Sequence, residues 1–148
     1  MNRLFLPLLL VFAVGCGIAG SDAERQEYAS SMKTLTGRLY DATVKYGSDL
    51  RAAAGSKDSQ KIAEQAKKDF DFSVSAAEKR VNELKPILEQ KFIQENFKAA
   101  LKVAKDVEEK ASEEVKKGSP EAIRFAGDQL KNAGELIKKL GNHLEEAK

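Results

Sequence analysis

Lys98, Lys102 and Lys105 stand at helical spacing beside an apolar stripe, and this arrangement points to a surface chemistry rather than a catalytic one. The stripe is Ile93, Phe97, Leu101, Ala104, Val107, Ala111 and Val115, recurring at steps of three and four. On a helix turning about 100° per residue, those positions share one side. Glu95, Asp106, Glu109 and Glu113 fall opposite, which leaves a greasy side, a lysine shoulder and an acidic back. Long lysine side chains next to apolar surface can lay their stems along it and reach toward lipid headgroups. On a bundle that packs only on itself, the same lysines are ordinary solubilising residues.

Other chemistry is sparse. His143 is the single histidine, near the end of a charged helix, where a solvated role is expected. Carboxylates are many, but each has lysines nearby and none lies on an apolar stripe, so no pair has the burial that separates two pKa values. The chain has no Gly-rich phosphate loop, nucleophile elbow or metal-ligand spacing. Neither a catalytic residue nor a cofactor nor a metal is therefore expected. The formal charge is only +2 and no basic stripe interleaves with aromatics, which argues against nucleic acid.

The N-terminal stretch reads as an export signal. A short basic opening at 1–3 precedes an apolar run over 4–18 that contains Pro7 and is short for a membrane span. Ser21-Asp22-Ala23 satisfies the small-x-small rule for a cut before Glu24, and Gly17-Ile18-Ala19 offers a second cut. Residues 1–23 are thus expected to be a cleaved signal and 24–148 a single helical domain. The one cysteine, Cys16, lies inside the signal, so the mature chain has no disulfide. Ala13-Val14-Gly15-Cys16 also resembles a bacterial lipobox, with Ala13 where leucine is usual. In that alternative Cys16 is lipidated and the protein is anchored to the cell envelope.

The rest of the chain supplies four helical segments. From Glu24, Tyr28, Met32, Leu35, Leu39, Thr43, Tyr46, Leu50 and Ala53 draw the first stripe. Gly37 and Gly47 soften that helix by about 1 kcal/mol each relative to Ala, and Gly55 is expected to end it in a left-handed conformation. Ser56 or Asp58 caps the second segment, whose stripe is Ile62, Ala66, Phe70, Val74, Ala77, Val81, Leu84 and Leu88. Phe72 falls off that stripe and is expected to pack on a neighbour's flank. Pro86 interrupts the pattern, and because the helical step continues to Phe92 the expectation is a kink rather than a loop. Gly118-Ser119-Pro120-Glu121 is the clearest helix boundary. After it come Ile123, Ala126, Leu130, Ala133, Ile137, Leu140, Leu144 and Ala147. The expected fold is all-α, an elongated antiparallel bundle of amphipathic helices.

Two stretches carry a family likeness. Thr43-Val44-Lys45-Tyr46-Gly47-Ser48-Asp49-Leu50, with Gln60, Ala63 and Phe70 downstream, resembles the Tyr-Gly-x-Asp-Leu region of small vertebrate apolipoproteins of the A-II type. Glu83-Leu84-Lys85-Pro86-Ile87-Leu88 is similar to the proline-led repeats of apolipoprotein A-I. The chain also resembles the insect apolipophorin III group in its architecture. It departs from the repeat pattern in having a single proline between the signal and Ser119. The resemblance implies secretion, reversible binding to a lipid or lipoprotein surface, and helix faces that pack on one another in the free state. The lipid-facing or core residues would be Ile93, Phe97, Leu101, Ala104, Val107, Leu130, Ile137 and Leu140, with Lys98, Lys102 and Lys105 at the interface. Self-association through the same faces is compatible with this reading. Two alternatives stand beside it: an interaction module tethered through Cys16, and an exported bundle that binds a protein partner.

Overall fold

Local chemistry sets most of the helix ends. The structure, a computed structural model, describes residues 20–85 and 87–142. Helix α1 spans Asp22–Ala53, α2 Ser59–Glu83, α3 Lys91–Lys116 and α4 Pro120–Asn142, with a short 3-10 turn at Leu88–Gln90 ahead of α3. No strand occurs among the described residues. Cys16, Pro86, His143, Leu144 and Ala147 lie outside them.

α1 begins at Asp22 rather than Glu24, because Ser21 caps it. The Ser21 hydroxyl accepts the Glu24 N–H at 3.4 Å, and the Glu24 carboxylate accepts the Ser21 N–H at 2.7 Å. Two orphan donors of the first turn are satisfied reciprocally. The α3–α4 boundary is as expected. Gly118 takes φ +73°, its N–H reaches the Val115 carbonyl at 3.0 Å, and the Ser119 hydroxyl accepts the Ala122 N–H at 3.1 Å. Only a residue without Cβ adopts that backbone freely.

Two expected boundaries are corrected. Gly55 is not left-handed; instead the Ser56 N–H bonds the Ala53 carbonyl at 2.8 Å. Ser56 then accepts the Asp58 N–H at 3.1 Å, and Asp58 is the N-cap of α2 without a side-chain bond. The second correction concerns the kink near residue 86. The flanking residues show a break: α2 stops at Glu83, Leu84 is extended with ψ 126°, and Ile87 is extended with ψ 124°. Proline disfavours helical backbone in the residue before it, and here the chain turns back rather than bending through.

The helices pack antiparallel, with α1 against both α2 and α4, α4 against α3, and α1 meeting α3 across the diagonal. Helices α2 and α3 are the neighbours that barely touch. The stripes meet in the middle, where Met32, Leu39, Leu50, Ile93, Phe97, Ile123, Leu130 and Ile137 are fully buried. Burying each such side chain contributes about 1.5–3 kcal/mol. Three stripe assignments change. Ala63 is buried where Ile62 was expected, while Ile62 is 37% exposed and Leu88 48%. Phe72 is not covered by a neighbour and stays 77% exposed.

Close contact between α1 and α4 depends on glycines at 127, 134 and 141, spaced one heptad apart. A Cβ on Gly127 would lie 2.6 Å from the Gly47 carbonyl oxygen, and one on Gly134 would lie 2.6 Å from Val44 Cγ2. At Gly141 the nearest atom would be Thr36 Cγ2 at 3.1 Å. Gly47 is therefore a packing residue and not merely a soft point, since its own Cβ would meet the Gly127 carbonyl oxygen at 2.7 Å. Gly37 differs, with nothing within 4 Å of its Cβ position.

Candidate functional site

The expected lipid-facing stripe is the bundle core in this state. Ile93, Phe97, Leu101, Ala104, Leu130 and Ile137 are buried, and Val107 and Leu140 are half-buried against the same core. The bundle thus brings these residues of α3 and α4 together, but on its inside. Lys98, Lys102 and Lys105 are exposed on α3. Lys105 is engaged, its Nζ donating to Glu78 of α2 at 2.8 Å.

That pair belongs to a polar seam where α2 faces α3. Lys67 of α2 donates to Glu108 of α3 and also meets Asp71 at 3.1 Å on its own helix. The Ser112 hydroxyl donates to the same Glu108 oxygen at 2.6 Å. Beneath lies a cleft of about 510 Å³ between the two helices, reaching down to Tyr46 of α1. Tyr46 is 2% exposed and stacks on Phe70 of α2, ring centroids 5.2 Å apart. The seam therefore has an ionic rim over an aromatic floor.

Two groups at this seam, Lys67 and Tyr46, bind their protons more tightly than usual. Desolvation is the largest influence on Lys67 and works against its charge. The hydrogen bonds and charges of Glu108 and Asp71 together outweigh it, and the pKa rises above the ordinary 10.5. Burial pushes the Tyr46 phenol above its ordinary 10.0, with the Ser112 hydroxyl pulling the other way. At neutral pH the Lys67 ammonium is charged and the Tyr46 phenol protonated. Among the described residues no group of three or more His, Cys, Asp or Glu is placed to hold a metal. No helix among them is long and apolar enough to cross a membrane.

Sequence reasoning found the stripes and lysines but not the seam. Lys67, Glu108 and Ser112 look like ordinary solvated residues along their own helices, and only the pairing of α2 with α3 joins them. Gly127, Gly134 and Gly141 were legible in principle, because small residues one heptad apart on one helix signal a close neighbour, whereas Gly47 has no such spacing on α1. No family model, curated protein or solved structure matches this chain.

Proposed function

We propose that this is an exported, non-enzymatic lipid-binding protein whose amphipathic helices exchange their contacts with one another for contacts with a lipid surface. The observation that carries the reading is the α2–α3 seam. Its two helices approach closely at few places and are bridged by ion pairs between partly exposed groups. Such pairs contribute about 1 kcal/mol or less each, so this edge of the bundle is the least costly to part. Parting it widens the cleft that reaches Tyr46 while the glycine-packed α1–α4 contact stays closed. Lys98 and Lys102 already stand on the outer face of α3, where they can meet anionic headgroups at about 1 kcal/mol each.

A second reading is favoured by a different observation. Phe72 is 77% exposed and Phe125 and Leu136 are each 52% exposed, so apolar surface is available without any opening. A protein partner or a second copy of the chain could use it, with the bundle free or tethered through Cys16. Vesicle co-flotation separates the readings. Wild-type protein should float with anionic vesicles, and changing Lys98 and Lys102 together to Glu, with Lys105 kept because it pairs with Glu78, should abolish flotation while leaving the lipid-free fold intact. Failure of the wild type to float with anionic or zwitterionic vesicles removes the lipid reading and leaves the protein-partner one.

A further inference from the structure

We propose that the export signal is removed upstream of Gly20, so that Gly20, Ser21 and Asp22 remain on the mature chain and lock the first turn of α1. Three cut positions fit the sequence: before Glu24, after Ala19, and at Cys16. The start of α1 distinguishes them. A cut before Glu24 discards the N-cap outright, with the Ser21 hydroxyl that accepts the Glu24 N–H and the Ser21 N–H that the Glu24 carboxylate accepts. It also discards both carbonyls that hold Arg25. The Arg25 backbone N–H donates to the Ser21 carbonyl at 3.0 Å, and Arg25 Nε donates to the Gly20 carbonyl at 2.9 Å. The new terminus would place an α-ammonium where the helix macrodipole is already positive.

The lock also reaches a second element. A Cβ on Gly20 would lie 3.2 Å from Ile87 Cδ1, so the residue just before the helix is seated on the link between α2 and α3. Gly20, Glu24 and Tyr28 of one side and Leu84, Lys85 and Ile87 of the other line a cleft of about 280 Å³. Cutting before Glu24 removes the glycine from this contact and leaves the link without its seat. Cuts after Ala19 or at Cys16 keep every one of these interactions. The small-x-small rule is met equally by Gly17-Ile18-Ala19 and by Ser21-Asp22-Ala23, so the sequence does not choose between them. The capping box does.

This inference rests on the export reading proposed above and is independent of lipid binding. Its test is the N-terminus of the full chain produced in a Gram-negative host that carries both the general and the lipoprotein leader peptidases. Intact mass and N-terminal sequencing should give a chain that starts at Gly20, or one that starts at Cys16 with added acyl mass. Either result supports the proposal, and the acyl mass separates the two. A chain starting at Glu24 overturns it, and one that keeps Met1 overturns it together with the export reading on which it rests. Ala23→Leu provides the second arm, because Ala23 is exposed on α1 and the change spoils only the cut before Glu24. Processing of Ala23→Leu should match the wild type in yield and start position. Accumulation of unprocessed Ala23→Leu chain would overturn the proposal.

Discussion

Adding one methyl group at two different glycines should move stability in opposite directions. Gly37 and Gly127 both sit inside helices, so Ala at either removes a propensity penalty of about 1 kcal/mol. At Gly37 nothing lies within 4 Å of the new carbon, and Gly37→Ala should keep that gain. At Gly127 the carbon would lie 2.6 Å from the Gly47 carbonyl oxygen and 2.6 Å from Arg51 Cγ. The arginine stem can move aside, but the backbone oxygen moves only if α1 and α4 separate. Forcing extra volume into packed contacts costs roughly 1–3 kcal/mol, which exceeds the propensity gain. Gly127→Ala should therefore lose up to about 2 kcal/mol net, and for a domain of this size each kcal/mol shifts the melting temperature by roughly 2–8 °C. Urea unfolding followed by circular dichroism gives both signs in one assay. A Gly127→Ala protein as stable as Gly37→Ala would refute the close α1–α4 contact.

Two further outcomes follow from the core and the seam. Phe97 is fully buried, so Phe97→Ala should lose about 3–5 kcal/mol in the same urea assay, while Phe72→Ala, at a position 77% exposed, should stay within about 0.5 kcal/mol of wild type. Tyr28, Tyr46 and Lys67 all have folded pKa values raised above the ordinary 10.0, 10.0 and 10.5, by burial for the phenols and by Glu108 and Asp71 against desolvation for the lysine. The folded state binds these protons more tightly than the unfolded state does. The associated stability is therefore complete below pH 10 and is lost as pH rises through the folded values. Melting temperature should fall above pH 10, with tyrosinate absorbance from the buried phenols appearing together with unfolding.

The four helices were legible because three-and-four spacing of apolar residues is a strong signal. The Gly118-Ser119-Pro120 boundary was legible because each residue there has one conformational use. The break near residue 86 was misread for a definite reason. Leu84, Leu88 and Phe92 keep helical spacing, yet Leu84 is extended and Leu88 is exposed, so the spacing does not reflect a shared face. Ile62 and Phe72 show the same limit, since hydrophobicity marks candidates for burial and the neighbouring helix decides which are covered. The seam was hidden because Lys67 and Glu108 are 41 positions apart and each has ordinary charged neighbours on its own helix. Nothing local marks them as partners.

The most direct test of the account is whether α2 parts from α3 on a lipid surface. Glu64 and Glu109 are exposed, line the cleft between the two helices, and can be changed to Cys and labelled for a distance measurement without entering the core. The two labels should sit close in the lipid-free protein. On anionic vesicles their separation should lengthen by more than the diameter of a helix, about 10 Å, with helix content unchanged. Protein that floats with the vesicles while the labels keep their lipid-free separation would contradict opening at this seam.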